Sequence, residues 1–128
     1  MKITTFNPAI VTGNARELVA LFEALGFECR HTKTGINDAG ITNYRMRYTG
    51  EDGRVFHVDI ADAPVPQDIT SIRMNVDNFE EAFEMLEKKG FRNAQGDRLT
   101  ETGTSRSTMM VSPTGFPINL SQHIRDND

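Results

Sequence analysis

The sequence predicts an α+β fold made of two tandem βαβββ modules, and an internal repeat is the main observation behind this prediction. Residues 14–26 (NARELVALFEALG) are echoed by residues 78–90 (NFEEAFEMLEKKG). Each segment begins with an Asn that can cap a helix and ends with a Gly that can adopt the left-handed conformation. Three strand-like segments follow each helix, and the last two are joined by GEDG in the first copy and by SPTG in the second. Such self-similarity at fixed spacing is typical of a duplicated unit.

The first module is expected to cover residues 1–61. Its alternating and β-prone segments predict strands at residues 2–11, 27–33, 42–49 and 54–61. Pro8 indicates an edge position, a bend or a bulge in the first of these strands. The helix between the first two strands carries an apolar stripe that we expect to face the core, made of Leu18, Leu21, Phe22 and Leu25.

The second module is expected to cover residues 69–123, after a linker at residues 62–68 that contains two prolines. Its strands are predicted at residues 69–76, 91–95, 104–111 and 116–123. The apolar contacts of its helix are expected from Phe79, Phe83, Met85 and Leu86. Residues 124–128 form a polar tail that we expect to fray.

Composition limits the classes of function. A chain of 128 residues suits a single domain, and its net charge of −4 gives no electrostatic reason to bind nucleic acid. Its apolar runs are shorter than the roughly 18 residues that a membrane span needs, so we expect a soluble, cytoplasmic protein. Cys29 is the single cysteine, which fits a reducing compartment and excludes a thiolate zinc site. We expect it to be a small, partly buried apolar residue.

Four motifs resemble a known family. They are the Asn-capped helices ending LGF (residues 25–27) and KGF (residues 89–91), the VDN entry at residues 76–78, and the hairpin SPTGFPINL at residues 112–120. The order and spacing of these motifs resemble the vicinal oxygen chelate superfamily, which includes glyoxalase I, bleomycin resistance proteins and extradiol dioxygenases. The resemblance implies curled mixed sheets around a cleft, and it implies a homodimer.

The resemblance also implies where metal ligands would lie, namely on the first and last strands of each module. Those positions fall on Asn7 and His57 in the first module and on Ser71 and Asn119 in the second. His57 is the one good ligand among them, because a neutral amide or hydroxyl oxygen holds a divalent ion poorly. No cofactor is therefore expected. A divalent metal is the less favoured alternative, with Asp59 available as a further ligand.

Strand alternation predicts which residues would face a ligand in the cleft. The polar members of this set are Asn7, His57, Asp59, Ser71, Arg73, Asn75, Asn119 and Ser121. Apolar walls are expected from Tyr44, Tyr48, and Met109 or Met110. Polar groups with apolar walls suit a small organic molecule, and Arg73 could grip a carboxylate at two points.

The preferred hypothesis is a metal-independent protein of the glyoxalase and bleomycin resistance type that binds a small organic molecule. The first alternative is a lyase or isomerase of glyoxalase type, or a related dioxygenase-fold enzyme, in which His57 is catalytic with or without a divalent metal. The second alternative is a structural or regulatory dimer with a filled cleft. The sequence leaves open whether the modules pair within one chain or are exchanged between two.

Overall fold

The computed structural model describes residues 1–34, 42–101 and 105–123, and for residues 31–34 it describes the backbone only. The tail predicted to fray, residues 124–128, lies outside the described residues. The chain forms two compact units, one from residues 7–70 and the other from residues 1–6 together with residues 71 onwards. Residues 1–34, 42–101 and 105–123 contain no candidate membrane-spanning helix.

The described residues form an α+β fold whose elements follow the predicted order. A strand and a helix are followed by three strands, and a second strand and helix are followed by two short and two longer strands. The elements are β1 Ile3–Thr12, α1 Ala15–Ala24, β2 Glu28–Thr34, β3 Thr42–Thr49, β4 Val55–Asp62, β5 Ile69–Val76, α2 Phe79–Lys88, β6 Arg92–Asn93, β7 Thr100–Glu101, β8 Ser105–Val111 and β9 Pro117–His123. The strand expected at residues 91–95 shrinks to β6, and β7 was not predicted.

The unit of residues 7–70 has the strand order β2-β3-β4-β1, in which β1 and β4 are parallel and the other pairs are antiparallel. Its buried core consists of Ala15, Met46, Val58 and Ile60. Leu18 and Phe22 of α1 pack on this core, as expected. Leu21 and Leu25 are exposed, so the inward stripe of α1 is narrower than the predicted one.

The second unit places β5 parallel to β9, β9 antiparallel to β8, and both β6 and β7 on β8. The face covered by α2 forms a core of Met74, Val76, Phe79, Ala82, Met110 and Leu120. Phe83 and Leu86 pack against this core, whereas Met85, expected to do the same, is exposed.

Cys29 is exposed rather than partly buried. It lies on β2, the outermost strand in the order of its unit, and the pairing with β3 shifts register between Cys29 and His31. This irregularity interrupts the simple alternation of side chains on which the expectation of burial depended.

The two helices end as predicted but begin differently. Gly26 and Gly90 follow α1 and α2 with φ of 105° and 96°, the left-handed region in which a Cβ is unfavourable. At the start of α2, the side chain of Asn78 accepts a hydrogen bond from the backbone N–H of Glu81 at 3.1 Å. At the start of α1, the side chain of Asn14 caps no N–H of the described residues, which corrects the expected symmetry.

We expect Asn78→Ala to lower the free energy of unfolding by about 1 kcal/mol, because it leaves an N–H of the first turn without its capping oxygen. The matched control is Asn14→Ala at the equivalent helix start, where we expect a change of less than about 0.5 kcal/mol. Urea unfolding followed by circular dichroism measures both changes. Equal losses in the two variants would contradict the difference in capping.

An arginine ties the start of α2 to β8 and β7. Arg106 donates to the carboxylate of Glu80, its guanidinium carbon lies 5.0 Å from the centroid of the Phe79 ring, and its Nε lies 3.4 Å from an oxygen of Glu101. The contact with Glu101 is an ion pair without hydrogen-bond geometry, since the buried Nε makes no hydrogen bond within the described part of the chain. The hydrogen bond from Arg106 is the main cause of a lowered pKa at Glu80, and the backbone N–H of Glu80 adds to it.

We expect the contribution of Glu80 to stability to be lost in acid. A carboxylate whose pKa is lowered by folding stabilises the protein above its unfolded pKa, and this stabilisation disappears as the pH falls through the folded pKa. Because the side chain is 65% exposed, we expect Glu80→Gln to cost only about 0.5 kcal/mol at pH 7. We expect this difference to decrease once the pH falls below the ordinary Glu pKa of about 4.3, and to be lost as the pH falls through the lowered pKa of the folded state. Urea unfolding at several pH values tests this, with Glu84→Gln on the same helix as control. A pH-independent loss would contradict it.

Candidate functional site

In the unit of residues 7–70, the face of the sheet opposite the core carries a group of polar side chains. Across β3 and β4, Arg45 is in register with Asp59 and Arg47 with His57. Across β1 and β4, Ala9 is in register with Asp59, and alternation places Asn7 on the same face. The intervening residues Met46, Val58 and Ile60 point to the core. Three adjacent strands therefore bring two arginines, a histidine, an aspartate and an asparagine to one surface.

Asp59 is the centre of a hydrogen-bonded chain across these three strands. Its Oδ2 accepts from Nδ2 of Asn7 at 2.8 Å, and both carboxylate oxygens lie 3.2 Å from Nη1 of Arg45. The side chains of Arg45 and Asp59 are only 26% and 16% exposed, so their charges are partly shielded from water. The carboxylate of Asp59 and the guanidinium of Arg45 are thus already engaged with each other.

Two polar atoms on the same face are buried and unpaired. Oδ1 of Asn7 and Nε of Arg47 have no hydrogen-bond partner within residues 1–34, 42–101 and 105–123. The orientation of the Asn7 amide follows from its surroundings, because Nδ2 donates to both Asp59 and the carbonyl of Pro8, each at 2.8 Å. A buried polar group without a partner costs about 1–3 kcal/mol, so each atom calls for a water or a ligand atom as its partner.

The second unit has a polar face of its own. Arg73 on β5 is in register with Asn119 on β9, which is in register with Met109 on β8. In the next row, Asn75 is in register with Ser121, whose hydroxyl donates to the Asn75 side chain. Ser71, Asn75 and Ser121 are buried. This face therefore consists mainly of neutral amides and hydroxyls around one arginine.

The predicted ligand-facing residues divide between these two faces. Asn7, His57 and Asp59 share the face in residues 7–70, and the residues that share the other face are Ser71, Arg73, Asn75, Met109, Asn119 and Ser121. Met110 belongs to the core, which leaves Met109 as the methionine of the polar face.

Tyr44 and Tyr48 were expected on the ligand-facing side, and this expectation was wrong. Tyr44 is in register with Ile60 and packs against the core. Tyr48 is in register with Phe56 and contacts the rings of Phe27 and Phe56. The pairing of β3 with β4 across the turn between them determines which residues of β3 face the core.

Sequence reasoning missed Arg45 and Arg47. The signal that could have found them is the short turn between β3 and β4, in which Gly50 N–H bonds to the carbonyl of Arg54. An antiparallel pair joined by such a turn places Thr49 opposite Val55, so odd-numbered residues of both strands share one face. Counting back from the turn places Arg47 beside His57.

At the positions that the resemblance implies, the described donor groups are a poor fit for a divalent metal. In residues 7–70 the carboxylate of Asp59 is held by Arg45 and Asn7, and two guanidiniums on the same face would repel a cation. In the other unit, the implied ligand positions carry a hydroxyl at Ser71 and an amide at Asn119, near Arg73. The described residues contain no group of three or more His, Cys, Asp or Glu that could hold a metal ion.

Comparison with known proteins finds similarity to solved structures of one fold. No model of a protein family matches this sequence, nor does any curated protein. Among solved structures, a variant of Streptomyces coelicolor methylmalonyl-CoA epimerase in complex with 2-nitronate-propionyl-CoA matches with TM-score 0.68 at 17% identity, covering 97% of this chain and 100% of the other. A glyoxalase/bleomycin resistance protein/dioxygenase superfamily member from Vibrio splendidus matches with TM-score 0.55 at 14% identity, covering 96% and 100%.

A third similar structure is a mutant of glyoxalase I from Zea mays, with TM-score 0.64 at 14% identity, covering 98% of this chain and 45% of that longer chain. All three carry the architecture that the helix and hairpin motifs implied. The chain has the vicinal oxygen chelate fold.

Proposed function

We propose that this chain is a small-molecule-binding protein that takes an organic anion on its polar sheet surfaces and needs no metal to do so. The observation that carries the proposal is the placement of Arg47 and Arg73, each on a sheet face that also presents buried neutral polar groups. An arginine in partly desolvated surroundings binds carboxylates strongly and can do so with two parallel hydrogen bonds.

The charge distribution supports a local rather than a long-range attraction. The chain carries a net charge of −4, so a small anion gains nothing from the overall field and must be held by nearby donors. The structurally similar epimerase was solved with methylmalonyl-CoA in one structure and with 2-nitronate-propionyl-CoA in another. Both compounds carry anionic groups, which agrees with a ligand of this charge.

The direct test is a binding screen on chelator-treated protein. Thermal shift and calorimetry would compare small carboxylates and acyl thioesters with Ni²⁺, Zn²⁺, Mn²⁺ and Fe²⁺. After the chelator has been removed by dialysis, we expect organic anions to stabilise the protein and the metals to have no effect. Stabilisation by about one metal ion per chain, without which no anion binds, would overturn metal independence.

A second candidate function is an isomerase or lyase of glyoxalase type, in which His57 moves a proton. The observation that favours it is the register of His57 with Arg47, which puts an imidazole beside a group suited to an anionic substrate. In the isomerase case the reaction would be an epimerisation. His57 would take a proton from the carbon next to a carbonyl, leaving an enolate, and a proton would then return to that same carbon. Incorporation of deuterium from D₂O into methylmalonyl-CoA at that carbon tests this reaction. Exchange that persists in His57→Ala would rule out the histidine.

We also propose that the protein is a cytoplasmic homodimer. Large apolar side chains are exposed in the unit of residues 7–70, among them Leu21, Leu25 and Phe56, and such groups favour contact with another surface. Sedimentation velocity over a range of protein concentrations tests the assembly. A dimer that binds no small molecule would favour the remaining alternative, a structural or regulatory role.

A further inference from the structure

We propose that the face around His57 selects carboxylates that also carry a hydrogen-bond donor away from the acid group. Nε of Arg47 would donate to the carboxylate, and Oδ1 of Asn7 would accept from a hydroxyl or amide N–H of the same ligand. This inference rests on the proposed binding function and assigns it a ligand class. The two unpaired buried atoms are its basis.

Arg47, rather than Arg45, is the arginine available for a ligand. The guanidinium of Arg45 is held by the carboxylate of Asp59, at 3.2 Å to both oxygens. Arg47 lies opposite Glu28 on β2, but the carboxylate of Glu28 pairs with Arg30 at 3.6 Å instead. The Nε–H of Arg47 therefore has no hydrogen-bond acceptor among the described residues.

Asn7 adds the requirement for a donor. Both of its amide hydrogens are directed to acceptors, the Pro8 carbonyl and the Asp59 carboxylate, so its remaining capacity is to accept. Asn7 is only 7% exposed, and bulk water reaches it poorly. A ligand that brings nothing but acceptor atoms would leave Oδ1 unpaired, and it would lose affinity relative to one with a correctly placed hydroxyl.

The sheet sets the spacing of the two groups. β1 and β3 lie on either side of β4, so the backbones that carry Asn7 and Arg47 are two strand spacings apart, roughly 10 Å. Both side chains project from the same face, so a single ligand could contact both of them. A compact ring with the acid and the donor at opposite ends meets this requirement better than an acid whose hydroxyl is on the adjacent carbon.

The experiment uses three rigid probes that differ by one group. They are trans-4-hydroxycyclohexanecarboxylate, cyclohexanecarboxylate without the hydroxyl, and trans-4-hydroxycyclohexanecarboxamide without the charge. Calorimetry on the full chain is expected to give the hydroxy acid an affinity at least about tenfold above that of either analogue. Equal affinities for the hydroxy acid and the plain acid would overturn the role of Asn7.

Variants then locate the site. Arg47→Gln should weaken the hydroxy acid about tenfold or more, whereas Arg54→Gln, the same change at an exposed arginine of the same unit, should not. Asn7→Ala should remove the advantage of the hydroxyl, so that hydroxy acid and plain acid bind alike. If Asn7→Ala fails to fold, the Nε–H resonance of Arg47 in the unaltered chain provides the readout, and it should shift with the hydroxy acid and not with the carboxamide.

The outcomes separate this inference from the broader proposal. Probes that bind with full affinity to Arg47→Gln but are lost in Arg73→Gln would overturn the inference and leave anion binding in place. If Arg47 donates only to Glu28 or to water and not to the ligand, Arg47→Gln will bind the probes as tightly as the unaltered protein does. That result would also overturn the inference. If no organic anion in the broader screen binds, both proposals fail.

Discussion

Replacing Phe79 with alanine is expected to lower the free energy of unfolding by about 3–5 kcal/mol, the largest single-residue effect that we predict. The side chain is 2% exposed and is the first residue of α2, packed in the core of the second unit. Its ring contacts Phe83, with centroids 5.9 Å apart, and lies under the guanidinium of Arg106. Alanine would leave a cavity and would remove both ring contacts.

The control for this change is Phe6→Ala in the same unit, where the ring is 63% exposed. We expect a loss of at most about 1 kcal/mol there, from strand propensity and partial burial. Urea unfolding followed by circular dichroism gives both values, and amide exchange shows which unit opens. A loss at Phe79 no greater than that at Phe6 would mean that α2 is not anchored through this ring.

Features that depend on a few neighbouring residues could be predicted from the sequence. The ends of both helices follow from Gly26 and Gly90, and the start of α2 follows from Asn78, because these signals act within one helical turn. The internal repeat supplied the order of the elements. Asn14 shows the limit of this reasoning, since the same residue at the same place in the repeat makes no capping contact to the described residues.

Features that depend on pairing between distant residues were harder to predict from the sequence. The apolar stripe of α1 indicated a helix facing the core, but its rotation depends on the sheet beneath it, and Leu21 and Leu25 remain exposed. Apolar residues are common on protein surfaces, so periodicity alone does not decide which edge of a stripe is buried. In β3, the alternation was correctly recognised, but its phase relative to β4 required the pairing across the turn.

The candidate site shows the same division. Alternation along single strands was enough to group His57 with Asp59, and Arg73 with Asn75. It was not enough to find that Arg45 neutralises Asp59 or that Arg47 lies beside His57, because both facts depend on the register of neighbouring strands. The residues that carry our binding proposal are therefore partly those that a single sequence does not reveal.

Replacing Asp59 with asparagine is expected to lower the free energy of unfolding by about 2–4 kcal/mol, although the change keeps the size of the side chain. Oδ1 of Asp59 accepts from Arg45, and Oδ2 accepts from both Arg45 and Asn7. In asparagine, one of these oxygens becomes an NH₂ group that faces donors. The partly buried guanidinium of Arg45 would also lose the negative charge that balances it.

Asp52→Asn is the matched control, since it makes the same change in the same unit at a side chain that is 59% exposed and paired with Arg54. We expect a loss of less than about 1 kcal/mol there, measured by the same urea titration. Equal losses at the two positions would contradict a structural role for the Asn7–Asp59–Arg45 chain.

Asp59→Asn should also bind small carboxylates more tightly than the unaltered protein, because it removes a negative charge beside Arg47 and releases Arg45. Stability and anion affinity would then change in opposite directions, as expected if Asp59 restrains one arginine of this face and leaves the other for the ligand.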